Sequence, residues 1–212
     1  MSAREVVIVA SGANLASLTF ALERLDARAI VSVDPARIRA ATHVIVPGVG
    51  AAASAMGELR RAGLERLIPE LTQPVLGICL GMQLLHEGSD EGNASCLGVL
   101  RGRAARLEEA HDRPVPHMGW NTLAPLRSSR LLEGVGSGER AYFVHSYALP
   151  VSEATVATSE YGLAFSACIE WRNFFGVQFH PERSGAVGAR ILRNFLGVSH
   201  GAASHDEVPA CG

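Results

Sequence analysis

The sequence has almost no excess of charge of either sign. Its 212 residues include 19 Lys and Arg against 21 Asp and Glu, which gives a formal net charge of −2. Proteins that attract nucleic acids or anionic membranes need a basic surface field, which this composition does not supply. We therefore expect a small molecule or another protein as partner, and neither nucleic acid nor a membrane.

Cysteine is scarce and scattered. The four cysteines, at positions 79, 96, 168 and 211, form no Cys-x-x-Cys pair. A structural zinc site needs clustered thiolates or imidazoles, and a disulfide framework is typical of short secreted chains. No group of His, Cys and carboxylates has ligand spacing, so no metal site is predicted. Reduced thiols in a cytoplasmic protein are the expectation.

Long uninterrupted apolar runs are also missing. Residues 40–57 lack acidic and basic side chains, but Pro47, Gly48 and Gly50 would break a membrane helix there. The N-terminal run at residues 6–10 is too short for the core of a signal peptide. We therefore expect a soluble, intracellular protein.

The chain does contain enough apolar material for a sizeable core. Hydrophobic residues make up 48% of it and charged residues 19%, a balance that excludes disorder for the chain as a whole. At roughly 150 residues per domain, the length falls between one domain and two. No linker or repeat divides the chain. We predict one domain over residues 1–198 and a flexible tail over residues 199–212.

Two periods alternate in the first half. Short Val- and Ile-rich runs, typical of strands buried on both faces, occur at residues 6–10, 29–33, 44–46 and 75–78. Segments with helical spacing separate them: one after the candidate N-cap Asn14, then residues 35–41, 52–61 and 64–71. This alternation predicts an α/β fold with a mainly parallel sheet flanked by helices.

The second half adds an antiparallel region. Short segments bounded by Pro and Gly predict strands at residues 142–145, 155–158, 165–171 and 174–179. The pair Arg172–Asn173 is the predicted turn of a hairpin between the last two. A final helix is predicted at residues 187–196, ended by Gly197.

Gly77-Ile78-Cys79-Leu80-Gly81 follows an apolar strand and precedes a helical run over residues 80–86. This is the arrangement of a nucleophile elbow, in which side chains at the two glycine positions would collide with the neighbouring strand and helix. A thiol at a helix N-terminus is activated, and the following backbone N–H faces developing negative charge. A buried core thiol is the alternative interpretation of Cys79.

Phe179-His180-Pro181-Glu182 places a carboxylate two residues after an imidazole. In an extended segment both side chains point to the same side, so Glu182 can orient the ring of His180 to accept a thiol proton. An ordinary surface histidine is the alternative.

Pro47-Gly48-Val49-Gly50 follows the third predicted strand, where free backbone N–H groups could bind an oxyanion. The letters GVGAAA imitate a dinucleotide fingerprint, but that motif belongs after the first strand. We therefore expect no cofactor.

Taken together, these residues resemble class I glutamine amidotransferases. The resemblance rests on PGVG (47–50), GICLGMQLL (77–85), PHMGWN (116–121), FVHSY (143–147) and FGVQFHPERS (175–184). More narrowly, the set is similar to the glutaminase subunits of imidazole glycerol phosphate synthase, and the similarity extends to about residue 198. It implies a flavodoxin-like fold and hydrolysis of L-glutamine through a thioester. It also implies a cytoplasmic heterodimer with a cyclase subunit, which uses the ammonia in histidine biosynthesis.

The resemblance also implies residue roles. Cys79 would be the nucleophile, His180 the general acid and base, and Glu182 its orienting carboxylate. The implied oxyanion donors are the backbone N–H groups of Val49 and Leu80. The implied glutamine-holding positions are Gly50, Gln83, Ser146 and Tyr147. The implied positions facing the cyclase are Asn14, Trp120 and Tyr142, although the two aromatic residues would also fit a core.

The sequence departs from the family at two places. Ala10 and Ser11 stand where the family's first strand usually ends in Asp-Tyr, and Arg183 stands where Lys is common. Two other functions stay open: a glutaminase that supplies a different synthase, and a redox-sensing α/β protein with an activated cysteine.

Overall fold

The structure, a computed structural model, describes residues 5–9 and 15–199. The predicted cap Asn14, the altered positions Ala10 and Ser11, and the predicted tail after Ser199 lie outside the described residues. The assignment of one domain to residues 1–198 stays a prediction.

Fourteen strands are described. They are β1 (Glu5–Val9), β2 (Arg28–Ser32), β3 (His43–Gly48), β4 (Val75–Cys79), β5 (His86–Ser89), β6 (Ala94–Ser95), β7 (Leu100–Arg106), β8 (His117–Thr122), β9 (Ala124–Pro125), β10 (Arg140–His145), β11 (Tyr147–Ala148), β12 (Thr155–Tyr161), β13 (Leu163–Trp171) and β14 (Phe174–Val177). The α-helices are α1 (Leu15–Glu23), α2 (Pro35–Ala40), α3 (Ala52–Arg61), α4 (Leu64–Leu67), α5 (Leu80–Leu84) and α6 (Gly185–Gly197).

The main sheet has eight strands in the order β2-β1-β3-β4-β14-β13-β12-β9. The pairings from β2 through β14 are parallel, and those from β14 through β9 are antiparallel. Every residue of β3, β4 and β14 is buried, as expected of apolar strands covered on both faces. The predicted α/β fold, a mainly parallel sheet with an antiparallel addition, is confirmed.

Alternation along β1 divides the core between the two faces of the sheet. Val6 and Ile8 pack in one cluster, which also contains the buried sides of α1 and α6. Val7 and Val9 pack in a second cluster with α2, α3 and α4. This is the period of two expected for a strand between two layers of helices. Within the described residues, no helix is long and apolar enough to cross a membrane.

The hairpin prediction is confirmed, because β13 and β14 pair antiparallel around Arg172–Asn173, with Trp171 opposite Phe174. Two helix predictions are too long. The helix after Cys79 ends at Leu84, and residue 86 already begins β5; the segment at 64–71 is α4 followed by a 3₁₀ turn, Ile68–Glu70. Two smaller sheets have the orders β10-β8 and β11-β7-β5-β6, and of their six strands the sequence predicted only β10.

Candidate active site

Cys79 occupies the turn between β4 and α5. Its backbone has φ 53° and ψ −113°, a conformation that residues with a Cβ rarely adopt. Such strain persists only where the surrounding structure enforces it, and it is typical of nucleophile elbows. Cys79 is 8% exposed, and its sulfur lies 3.7 Å from the Val144 carbonyl oxygen.

The two glycines of the motif have the predicted steric reason. A Cβ at Gly77 would lie 2.7 Å from the Gly81 carbonyl oxygen, and a Cβ at Gly81 would overlap the Val46 carbonyl oxygen. Gly48 also packs against the start of α5, where a Cβ would lie 2.7 Å from the Gly81 nitrogen. The end of β3 and the elbow are therefore in direct backbone contact.

His180 and Glu182 form a hydrogen-bonded pair. The imidazole Nδ1 donates to the Glu182 Oε1 at 3.0 Å, and the two side chains are 15% and 12% exposed. The contact spans a 3₁₀ turn, Pro181–Arg183, so the predicted pairing is made although the expected extended backbone is wrong. The ring's second nitrogen is left for Cys79, which lines the same cavity and favours the charged form of the His180 ring.

Opposing effects act on the charge of His180. Burial alone would lower its pKa, but the hydrogen bonds and Coulomb attraction of Cys79 and Glu182 outweigh burial and raise the pKa well above 6.5. The charged ring is therefore favoured when it faces a thiolate at Cys79 and the carboxylate of Glu182. A proton taken from the sulfur would be stabilised on this ring.

A cavity of about 340 Å³ opens beside these groups. Cys79 and His180 line it together with the loop 48–50 and Leu80. All four positions predicted to hold glutamine also line it: Gly50, Gln83, Ser146 and Tyr147. The structure therefore brings the predicted catalytic, oxyanion and glutamine-holding positions to one site. Among the described residues, no group of His, Cys, Asp and Glu could hold a metal ion.

A family model described as glutamine amidotransferase class-I matches residues 9–198. The chain belongs to this family. Two relatives, from Xylella fastidiosa and Xanthomonas axonopodis pv. citri, are named imidazole glycerol phosphate synthase subunit HisH. Each is 51% identical over 193 residues, which is 91% of this chain and 96% of the relative. A solved glutamine amidotransferase shares the fold, with a TM-score of 0.71 at 22% identity over 91% of this chain and 99% of its own.

Trp120 and Tyr142 lie side by side on the outside of this amidotransferase. They are directly opposite in the β8–β10 pair, with ring centroids 5.9 Å apart. Trp120 is 49% exposed, so the alternative of a core aromatic is wrong for it. Arg183 stacks over the Tyr142 ring at 4.5 Å and so joins this surface. The third predicted interface position, Asn14, lies outside the described residues.

Sequence reasoning missed several polar residues of the amidotransferase site. Glu91 lines the cavity and accepts a hydrogen bond from the Ala52 backbone at the start of α3. His145 also lines the cavity, and its Nε2 accepts from the Nδ1 of His117 at 3.0 Å. Gln178 lies behind Cys79. His145, His117 and Gln178 belong to motifs that the sequence does display, which are FVHSY, PHMGWN and FGVQFHPERS in that order. Nothing in the sequence points to Glu91.

Burial keeps both of these histidines neutral. It lowers the pKa of His117 to about 4 and that of His145 to about 3. The His145 Nδ1 donates to the Tyr147 carbonyl oxygen at 2.9 Å, which fixes its tautomer and leaves its Nε2 as the acceptor for His117. Neutral rings so held can shape the cavity wall without adding charge to it.

Proposed function

We propose that this chain is the glutaminase subunit of an imidazole glycerol phosphate synthase. It hydrolyses L-glutamine to glutamate and ammonia and delivers the ammonia to a cyclase subunit. The observation that carries the proposal is the placement of Cys79, in a strained elbow, beside the His180–Glu182 pair at the wall of one cavity. Relatives at 51% identity that are named subunits of that synthase support the acceptor reaction.

Cys79 is the nucleophile of the proposed reaction. Its proton passes to His180, and the sulfur then attacks the carboxamide carbon of glutamine. The raised pKa of His180 supports this transfer, because the imidazolium formed is favoured by its neighbours. Glu182 holds the ring through Nδ1 and leaves the other nitrogen toward the sulfur.

Backbone N–H groups stabilise the oxyanion of the tetrahedral intermediate. Leu80 offers the first N–H of α5, directly after the nucleophile, and Val49 offers one from the loop 48–50, which also lines the cavity. Such a donor typically contributes about 3–4 kcal/mol of transition-state stabilisation. The imidazolium then protonates the leaving nitrogen, so that ammonia departs and a thioester remains.

Water completes the cycle. His180, now neutral, removes a proton from water as it attacks the thioester carbon, and returns that proton to the departing sulfur. Glutamate leaves and the starting state of the site is restored.

The cyclase subunit is the second part of the proposal. In its barrel, ammonia reacts with a phosphoribulosyl nucleotide to give imidazole glycerol phosphate and an aminoimidazole carboxamide ribotide. The exposed Trp120, with Tyr142 and Arg183 beside it, is the surface assigned to this contact, because exposed aromatic side chains are typical of interface anchors. We place the assembly in the cytoplasm, which the free thiols of Cys79, Cys96 and Cys168 support.

The decisive variant is Cys79→Ala, tested in the complex with the cyclase subunit. We expect no glutamate release from L-glutamine, whereas synthesis with added ammonium salt continues at the wild-type rate, because the cyclase site is untouched. Cys168→Ala is the matched control, since that thiol is fully buried in the core and outside the cavity. Glutaminase activity retained by Cys79→Ala would rule out the assigned nucleophile.

The partner is tested separately with the wild-type chain. Glutamate release is measured for the chain alone, with the cyclase subunit, and with that subunit and its nucleotide ligand. Strong stimulation by the pair supports the assigned acceptor. Equal rates in all three mixtures would favour a glutaminase that serves another synthase.

A further inference from the structure

Gln178 lies directly behind the nucleophile. It follows β14, is fully buried, and its backbone N–H donates to the Ala167 carbonyl oxygen at 2.9 Å. Its side-chain Nε2 lies 3.7 Å from the Cys79 sulfur, within range of a hydrogen bond to sulfur. Its Oε1 is 2.9 Å from the Nε2 of Gln83. One buried amide therefore contacts both the nucleophile and a glutamine-holding residue.

The hydrogen bonds fix which way each amide faces. Gln83 Nε2 is 2.8 Å from the Tyr147 carbonyl oxygen, which can only accept, so this atom must be the amide nitrogen. Its second hydrogen goes to Gln178, which must present its oxygen there and its nitrogen to Cys79. Turning the Gln83 amide over would set its oxygen against two acceptors.

This arrangement commits both amide hydrogens of Gln83. Only its Oε1 is left for a ligand, and within the described residues that oxygen accepts no hydrogen bond, while Gln83 itself lines the cavity. A free amide oxygen at a binding cavity accepts from an N–H donor and repels a carboxylate. L-Glutamine has two such donors, the α-ammonium and the carboxamide.

We propose that Gln178 is a positioning residue for glutamine hydrolysis. It locks the Gln83 amide so that Oε1 accepts a hydrogen bond from an N–H group of the substrate, and it holds the sulfur of Cys79 from behind. This inference rests on the proposed glutaminase function. It predicts that Gln178 acts on substrate binding through Gln83, without itself lining the cavity.

A double-mutant cycle tests this route of action. Gln178→Met, Gln83→Met and the double variant are assayed for glutamate release in the complex with the cyclase subunit. We expect Gln178→Met to raise the KM for L-glutamine about tenfold, the loss of one substrate hydrogen bond. In the Gln83→Met background, adding Gln178→Met should alter KM less than twofold, because the amide that Gln178 positions is already absent. Gln73→Met is the matched control, since Gln73 is also buried but bonds to the Ile38 carbonyl oxygen outside the cavity; its KM should stay within twofold of wild type.

The γ-methyl ester of L-glutamate separates the two N–H donors. It keeps the α-ammonium and lacks the carboxamide hydrogens. A tenfold rise of its KM in Gln178→Met assigns the contact to the α-ammonium, and an unchanged KM assigns it to the carboxamide. Gln178→Glu is the second variant, because a carboxyl oxygen still accepts from Gln83; its KM for glutamine should stay within about threefold of wild type.

The outcomes that overturn the inference differ from those that overturn the function. An unchanged KM in Gln178→Met, an equal rise with and without Gln83, or an equal rise in Gln73→Met contradicts the positioning role. If Gln178→Met does not fold, a tenfold rise in Gln178→Glu contradicts it as well. A wild-type complex that releases no glutamate from glutamine instead refutes the proposed function.

Discussion

Replacing Glu182 by Gln tests how much the charge behind His180 contributes to catalysis. In the wild-type chain the His180 Nδ1 lies 3.0 Å from the Glu182 Oε1. The amide of glutamine keeps the size of the side chain and an oxygen that accepts from Nδ1, but it removes the negative charge. Hydrogen bonds to charged groups contribute roughly 1.5–3 kcal/mol and neutral ones about 1 kcal/mol. Because both side chains are at most 15% exposed, water screens the pair little. The difference of about 1–2 kcal/mol predicts a fall in kcat of roughly 5- to 30-fold.

The geometry offers the new amide no compensation. Within the described residues, Glu182 Oε2 has no hydrogen-bond partner, so an NH₂ group in its place would gain none. We would measure kcat for glutamate release at saturating glutamine and fixed pH, beside Glu170→Gln. Glu170 is a comparably shielded carboxylate, paired with Arg130 at 2.7 Å away from the cavity, and its loss should leave kcat unchanged. A kcat within twofold of wild type for Glu182→Gln would refute the assigned role of the charge.

Two further predictions concern stability. Gly81→Ala should lower the free energy of unfolding by about 2 kcal/mol or more, because the new Cβ overlaps the Val46 backbone. Gly57→Ala, with open space around it in α3, should raise that free energy by about 0.5–1 kcal/mol. Urea unfolding compares the two variants, and equal effects would contradict the steric argument. Burial lowers the pKa of both His86 and His117 to about 4, and that of His145 to about 3. Between these values and pH 6.5 the unfolded chain therefore binds protons that the folded chain does not. Stability should therefore fall as pH falls below 6.5, by about 1.4 kcal/mol per unit for each such histidine, and His86→Gln should reduce the slope between pH 6.5 and 5.5. The raised pKa of His180 makes a contribution to stability that is complete below pH 6.5 and is lost only as the pH rises above that value. His180 therefore does not alter the slope of stability below pH 6.5.

The main sheet and the elbow could be predicted because their signals are local. Strands buried on both faces need continuous apolar runs, which β1, β3 and β4 have. The elbow needs glycines at fixed offsets from Cys79, and the clashes at Gly77 and Gly81 give the reason. The contact of His180 with Glu182 spans only two residues, so the letters alone indicated it.

The smaller sheets and the buried polar contacts of the site could not be predicted, because they depend on pairings between distant parts of the chain. Strand β8 alternates in exposure, but its sequence HMGWNT has a buried histidine, one glycine, and its two large apolar side chains, Met118 and Trp120, exposed. It therefore carries no strong hydrophobic period. His117 meets His145 across 28 positions, and Gln83 meets Gln178 across 95. Whether a polar side chain is buried with a partner or exposed to water is decided by such contacts, which no spacing in the sequence displays.

At Cys79 the backbone conformation that the fold imposes and the side chain that the proposed chemistry needs make opposite demands on one residue. A residue with a Cβ held at φ 53° is strained by about 1–3 kcal/mol, and glycine would be free of that strain. The amino acid that folds most easily there is therefore one that cannot react. A substitution by glycine would relieve this strain but remove the proposed nucleophile, so the strands that pair with β4 on either side must hold the turn that the sulfur requires.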